Sequence, residues 1–361
     1  MTDAPPRSRP ADGAGDLPEL GATAAAILEA HWVEEGFTAP HPRVYPWRWL
    51  WDSCFCALVW AALGDGRALT ELEAVFRWQH GDGFVPHIGY HRPSPHASLW
   101  GRPWASTLTQ PPMYGHVVAE LARRGVAVPR ELVERAEAGV RWLLEHRRRP
   151  GGAVVIVHPW ESGCDDSPHF DRWCGPLHRY EAKGDLVEAV RLHNGAAVAS
   201  SAFEVASAGF NALVAFNADE LGIDHGLPEP ASQPPLTLDD LLVTLAWPDD
   251  ALVELALDDR VFGGPFGPAG VRRDHAVFDG DGYWRGAAWP QLSYLLWVAA
   301  SRQGRADLAG QLASRAVAGA LRSGWAEHWN PDTGRPGGAR PHSWSTVVAL
   351  MEGPASAAGH S

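Results

Sequence analysis

Lysine is almost absent from this 361-residue chain: Lys183 is the only one among 30 basic residues. Arginine supplies the rest, a compositional bias to which no mechanistic weight attaches. Cysteine is sparse, with four residues at positions 54, 56, 164 and 174. Cys54 and Cys56 lie two apart on an expected helix, so they point to different faces and cannot chelate together. Cys164 and Cys174 could pair across a loop, but free thiols are the preferred reading, and no metal site is expected. No apolar run approaches the roughly 20 residues of a membrane span, and no basic-plus-apolar leader opens the chain. A cytoplasmic, reduced location is therefore expected. Positive charge is also in deficit: the formal net charge is −13. That argues against nucleic acid and anionic membrane as partners, while leaving neutral small molecules open. Absent too are a Gly-x-Ser-x-Gly elbow, a phosphate loop with Lys, a dinucleotide fingerprint and a His-Glu-x-x-His helix. Strand-like alternation is scarce, residues 154–157 being the best short case.

Tryptophan, by contrast, is abundant, with 18 residues in the chain. An indole offers a flat apolar face and one N–H donor, which suits the C–H face and hydroxyls of a sugar; core packing is the plain alternative for any one of them. Helical periodicity dominates between a Pro/Gly-rich stretch at 1–18 and a short one at 353–361, both expected to be tails. Residues 131–147 place Leu132, Val133, Ala136, Val140, Leu143 and Leu144 on one stripe. Further helices are expected over 20–35, 52–63, 69–79, 112–124, 200–221, 236–246, 288–302 and 306–322. Several end at Gly64, Gly125, Gly222 and Gly304, as helix C-termini tend to. One all-α domain over 19–352 follows, its helical hairpins closing into a toroid. A linear solenoid is the rival, without a clear repeat of roughly 34–45 residues to support it.

The loops carry clusters of aromatic, acidic and arginine side chains where solvated linkers would carry Ser, Lys and Glu. Loops of this kind point to one concave site. Two of them hold candidate acids. In Glu161-Ser-Gly-Cys-Asp165-Asp166-Ser-Pro168, Gly163 permits a tight turn and Pro168 stiffens the exit; an Asp-rich turn or helix cap is the alternative. In Trp325-Ala-Glu327-His-Trp329-Asn-Pro-Asp-Thr-Gly334, a carboxylate sits between indoles; a simple Glu–Arg pair is the alternative. Glycoside cleavage needs such a pair, one carboxyl to protonate the leaving oxygen and one carboxylate to activate water or attack the sugar carbon.

Seven motifs in order then carry a resemblance: Tyr45-Pro-Trp-Arg-Trp49-Leu-Trp51-Asp52-Ser, Gly83-Phe-Val-Pro-His87, Thr109-Gln110-Pro-Pro, Glu161-Ser-Gly-Cys-Asp165-Asp-Ser-Pro, Gly282-Tyr283-Trp284-Arg285-Gly-Ala-Ala-Trp289-Pro, Glu327-His-Trp-Asn-Pro, and His342-Ser-Trp344-Ser. The chain resembles glycoside hydrolase family 63 and its trehalase-like relatives, nearest the bacterial mannosylglycerate and glucosylglycerate hydrolase branch, over most of residues 43–350. The resemblance implies an (α/α)6 toroid, or six-hairpin barrel, inversion at the anomeric carbon and no cofactor. It makes Asp165 the general acid and Glu327 the general base, with Asp166 the rival for the acid. It places Tyr45, Trp49, Trp51, Asp52, His87, Gln110, Tyr283, Trp284, Arg285 and Trp289 around the sugar next to the scissile bond, and His342 and Trp344 among the further substrate contacts.

The pattern departs from that branch in three places. The stretch 193–203 has neither the Arg nor the Tyr that grips glycerate in the relatives, a Gln of that subsite is matched by His342, and the chain is shortened around 222–236. The expected substrate is a small α-glucoside, α-mannoside or short oligosaccharide whose leaving group differs from glycerate, unless Arg179 or Arg191 compensates. Homo-oligomerisation stays open. The rivals are a sugar epimerase using His87, His116, His158 or His328, and a non-catalytic sugar-binding protein of the same fold.

Overall fold

The helical spacing becomes helices in the computed structural model, which describes residues 17–175, 180–230 and 233–351. The first α-helix, α1 (Leu17–His31), starts two residues inside the stretch expected as a tail; the remainder of both expected tails lies outside the described residues. The chain continues through α2 (Leu50–Ala62), α3 (Arg67–Phe76), α4 (Ala97–Trp100), α5 (Tyr114–Arg123) and α6 (Arg130–His146). After the short α7 (Asp171–Cys174) come α8 (Tyr180–Glu188), α9 (Ala208–Glu220), α10 (Asp250–Leu255), α11 (Pro290–Arg302) and α12 (Ala306–Ser323). Two 3-10 helices, Leu238–Leu245 and Ser343–Leu350, complete the scaffold.

Burial divides these helices into two sets. In α2 every residue from Leu50 to Ala61 is buried, and α9 and α11 are buried nearly as completely. A helix covered on all sides is an interior helix, whereas one with a single apolar stripe lies outside. The stripe of α6 (Leu132, Ala136, Gly139, Val140, Trp142 and Leu143) is of the second kind, and so is that of α12. The packing follows the same division. Among the interior helices, α2 packs on α5, α5 on α9, and α9 on Leu238–Leu245; the sequence continues through α11 and Ser343–Leu350 and returns to α2. Against this set, α3 packs on α2, α6 on α5 and α9, α10 on Leu238–Leu245, α12 on α11, and α1 on Ser343–Leu350.

The structure corrects three expectations. Residues 200–221 are not one helix: Ser207 caps α9, accepting the Phe210 N–H, residues 201–206 are irregular, and Ser200 ends a hairpin of β5 (Val190–His193) with β6 (Ala196–Ser200). Its turn uses Asn194 and Gly195, both at positive φ, which are turn residues for that reason. Residues 154–157 form no strand; Val154 and Ile156 make isolated bridges to Arg148 and Val205. The segment 236–246 holds a 3-10 helix, Leu238–Leu245, opened by a capping box of Thr237 and Asp240. The other ribbons are β1 (Trp32–Val33) with β2 (Phe37–Thr38), β3 (Arg48–Trp49) with β4 (Ile88–Gly89), and β7 (His328–Trp329) with β8 (Pro336–Gly337).

Away from the loops, Glu220 at the end of α9 ties three helices together. Its carboxylate takes His116 Nδ1 at 2.9 Å and the guanidinium groups of Arg123 and Arg302. Burial pushes the Glu220 pKa up, but the bonds from His116 and Arg123 and the charge of Arg302 outweigh it and hold the pKa down to about 2. A carboxyl depressed from 4.5 to about 2 contributes about 3 kcal/mol above pH 5, lost as pH falls through the folded value. Glu220→Gln is therefore expected to be less stable by about 3 kcal/mol at pH 7 in urea unfolding, with the gap narrowing towards pH 2. A gap that stays constant between pH 7 and pH 2 would refute this account.

Candidate active site

The aromatic loops do converge. Antiparallel pairing of β3 with β4 brings residues 45–52 beside residues 83–91, and Leu50 N–H donates to the His87 carbonyl at 2.8 Å. The resulting cleft holds about 450 Å³ of space, including the part open to solvent. Its walls are Tyr45, Trp49, Trp51, Tyr283, Trp284 and Trp344, and its polar groups are Asp52, Gln110, Asp165, Glu327 and His342, with Pro40 and Gly163 between them. Eleven of the fourteen site residues read from the sequence thus line one cleft.

The remaining three do not. His87 lies behind Trp49, ring centroids 5.6 Å apart, and its Nδ1 meets Ser106 Oγ at 2.6 Å. Burial lowers its pKa to about 3, so the ring is neutral. Trp289 stacks on the back of Trp284 at 3.7 Å and 6°. Arg285 turns to Asp171, with Nη1 to Oδ2 at 3.0 Å. All three support the wall rather than form it. Trp284 itself holds φ at 56°, a conformation that costs a bulky residue about 1–3 kcal/mol and is found where a site over-determines it.

The loop bearing Asp165 is pinned from several directions. Glu161, fully buried, makes a two-pronged pair with Arg147 (Nη1 to Oε2 2.8 Å, Nη2 to Oε1 2.6 Å). The same carboxylate accepts the Thr109 N–H at 3.1 Å and the Val157 N–H at 2.8 Å. One buried anion thereby fixes the Asp165 loop to the Thr109-Gln110 loop. At Gly163 the backbone has φ +75°, and a Cβ would stand 2.6 Å from the Trp51 ring; only glycine permits both the turn and the approach. Beyond Asp165, Lys183 pairs with Asp166, His169 with Asp240 at 3.0 Å, and Asp171 with Arg285. Although burial opposes it, Asp240 holds the His169 pKa up to about 9, so this pair is ionic at neutral pH. Burial raises the Asp165 pKa to about 7; Lys183 pulls it down, while Asp166 and Glu327 push it up.

Glu327 enters from the loop after α12. The Asn330–Gly334 turn, in which Asn330 Oδ1 accepts the N–H groups of Asp332 and Thr333 at 2.9 and 3.0 Å, folds β8 back on β7. This lets Ala339 N–H donate to Glu327 Oε2 at 2.9 Å, while Tyr45 O–H approaches Oε1 at 3.4 Å. Burial raises the Glu327 pKa to about 7, and these two donors counter it. Gly338, at φ +68°, is required because a Cβ there would overlap the Glu327 carboxylate. Trp344 Nε1 donates to the Glu327 carbonyl at 2.9 Å and fixes the backbone. Asp52, in the first turn of α2, is pushed well above the usual carboxylate range by burial and then by the charge of Glu327.

Sequence reasoning missed Arg147, Lys183, Pro40 and the Gly338-Ala339 step. The lone lysine and the Gly337-Gly338 pair were visible signals; Arg147, one of three consecutive arginines, was not. All four cysteines are buried free thiols. Among the described residues no His/Cys/Asp/Glu group of three could hold a metal ion, and no helix is long and apolar enough to cross a membrane.

Acidic side chains set among indole walls, on loops of a helical scaffold, define a carbohydrate-cleaving enzyme of the glycoside hydrolase class. Residues 45–222 and 241–345 match the mannosylglycerate hydrolase MGH1-like glycoside hydrolase domain, and the chain belongs to that family. It is 29% identical to a mannosylglycerate hydrolase of Thermus thermophilus over 406 aligned positions, covering 87% of this chain and 96% of that protein. It is 25% identical to the glucosylglycerate hydrolase of Mycolicibacterium hassiacum, covering 92% and 97% respectively. Among solved structures, a GH63 mannosylglycerate hydrolase from Thermus thermophilus in complex with glucose superposes with a TM-score of 0.75 at 28% identity, covering 92% of this chain and 99% of that one. The break in the family match, 223–240, overlaps the stretch read as shortened.

Proposed function

We propose that this chain is an inverting α-glycoside hydrolase on a six-hairpin (α/α)6 toroid, with Asp165 as general acid and Glu327 as general base. The observation that carries the reading is the pair of carboxyls, each raised to about 7, in one aromatic-walled cleft. Two such groups divide the roles when their surroundings differ. Glu327 receives an N–H and an O–H that favour its anion, which suits it to the role of base. Its charge then raises the affinity of Asp165 for a proton. Glu327 takes a proton from water as the water attacks the anomeric carbon; Asp165 gives its proton to the glycosidic oxygen as the C–O bond breaks. No cofactor enters these steps.

The sugar is held by Trp49, Trp51, Trp284 and Trp344 as walls and by Asp52 and Gln110 as hydroxyl partners. The buried indole N–H of Trp49 has no acceptor among the described residues, which supports a role in binding a hydroxyl. The substrate is a small α-glucoside, α-mannoside or short oligosaccharide. Its leaving group differs from the glycerate named in the relatives: the stretch 193–203 runs through the β5–β6 hairpin without Arg or Tyr, and Arg191 is exposed on it. Arg179 lies outside the described residues. The epimerase reading is disfavoured because none of His87, His116, His158 and His328 lines the cleft.

The test is hydrolysis of a panel of α-glucosides and α-mannosides with the first-formed anomer followed by NMR. A β-anomeric sugar is expected. An α-anomeric first product would overturn inversion, and binding without turnover across the panel would overturn hydrolysis in favour of a sugar-binding protein.

A further inference from the structure

The chain's one lysine stands in the protein interior. Lys183 belongs to α8, is 5% exposed, and reaches back to the acid loop through both its side chain and its backbone. Its ammonium donates to Asp166 Oδ1. Its carbonyl meets His158 Nε2 at 3.0 Å. His158 Nδ1 accepts the Trp160 N–H at 3.1 Å, capping the 3-10 turn Pro159–Ser162 that leads into the acid loop. Because Nδ1 accepts, Nε2 carries the proton and donates to Lys183. Burial lowers the His158 pKa to about 3, so this tautomer persists at working pH. Residues 158 and 166 bracket Asp165, and both are fastened to a single residue on another element. Burying an ammonium is costly unless it is paired, so an interior lysine in a chain that otherwise uses arginine calls for a reason.

We propose that Lys183 is the positioning residue of the general acid, clamping the loop 158–166 at both ends so that Asp165 is held at the cleft wall with its proton. The proposal rests on the reading of Asp165 as the acid. Lys183 touches no reacting atom and acts through the loop. Its charge also offsets that of Asp166, leaving an acid whose proton is available near neutrality. Among the described groups, Lys183 from α8, Asp166 from its own loop and Glu327 from the loop after α12 bear on Asp165; Asp52, Tyr45, Tyr283 and Cys164 sense it in turn. Lys183 acts in addition on His158 and Cys174.

The test measures kcat/KM against pH on methyl α-D-glucoside and α-D-mannoside and on the matching α-glycosyl fluorides, whose leaving fluoride needs no proton donor. Lys183→Met is expected to lower glycoside turnover about tenfold or more with the fluoride nearly unaffected. Removing the cation should move the basic limb of the glycoside profile up by about one pH unit. Asp166→Asn, which removes the adjacent anion and leaves Lys183, should move that limb down. Lys183→Arg should restore most of the lost glycoside activity. An unchanged limb and an unchanged glycoside-to-fluoride ratio in Lys183→Met would overturn the proposal; so would equal loss on both substrates in Lys183→Met and Lys183→Arg. If Lys183→Met does not fold, Asp166→Asn decides alone, and a limb that stays or rises refutes the clamp. Asp165→Asn with a wild-type glycoside-to-fluoride ratio would instead sink the acid assignment, separately from Lys183.

Discussion

Replacing Glu327 with Gln is expected to lower kcat by about 10³–10⁴-fold with little loss of stability. The amide keeps the size of the side chain; its oxygen can accept the Ala339 N–H, and its NH2 can donate to the Tyr45 hydroxyl oxygen in place of the bond the carboxylate accepted. It has no basic oxygen to take a proton from water, so the loss falls on the chemical step. KM should change little, because the cleft walls and Asp52 are untouched. Steady-state kinetics on an α-glycoside, with urea unfolding to confirm the fold, makes the measurement. Retention of a tenth or more of kcat would remove Glu327 from the role of base and return attention to a histidine mechanism.

Arg147→Met is expected to produce the largest structural loss. The Arg147–Glu161 pair is completely buried, and the Glu161 carboxylate also receives two backbone N–H groups from separate segments. Removing the cation strands an anion in the interior, a change that costs about 3–5 kcal/mol. Urea titration should show that loss, accompanied by a fall in kcat because the acid loop and the Gln110 loop lose their common anchor. The double variant Arg147→Met with Glu161→Gln should recover part of the stability: the unpaired charge is gone and the amide oxygen still accepts one N–H. A single-variant loss below about 1 kcal/mol would mean that the pair contributes no more than an exposed one.

Much of the site is legible in the sequence because the chemistry that makes a residue useful also makes its neighbourhood unusual. Asp165 follows a glycine that the turn and Trp51 both require, and Glu327 precedes an Asn-Pro-Asp-Thr-Gly turn that folds the chain back over it. Such patterns are local, so they survive in the sequence. His87, Trp289 and Arg285 escape a correct placement for the converse reason. Their motifs are recognisable, but whether a side chain faces the cleft or the residue behind it depends on distant partners: Ser106 for His87, Trp284's underside for Trp289, and Asp171 for Arg285.

The helices show the same division. Stripes such as that of α6 are set by spacing and can be read directly, while residues 200–207 read as helix although Ser200 ends β6 and the helix begins only after the Ser207 cap. By itself the sequence determined a mainly helical chain, its aromatic loops, and the two carboxyls around which a glycoside hydrolase could be argued. These follow from local spacing and from residue types that have little other use in a loop. Only the tertiary structure decided that Arg147 answers Glu161, that Lys183 is fastened to both ends of the acid loop, and that eleven of the expected site residues share one cleft. Burial sets the protonation of both carboxyls, and burial is a property of the packed molecule that no stretch of chain possesses alone.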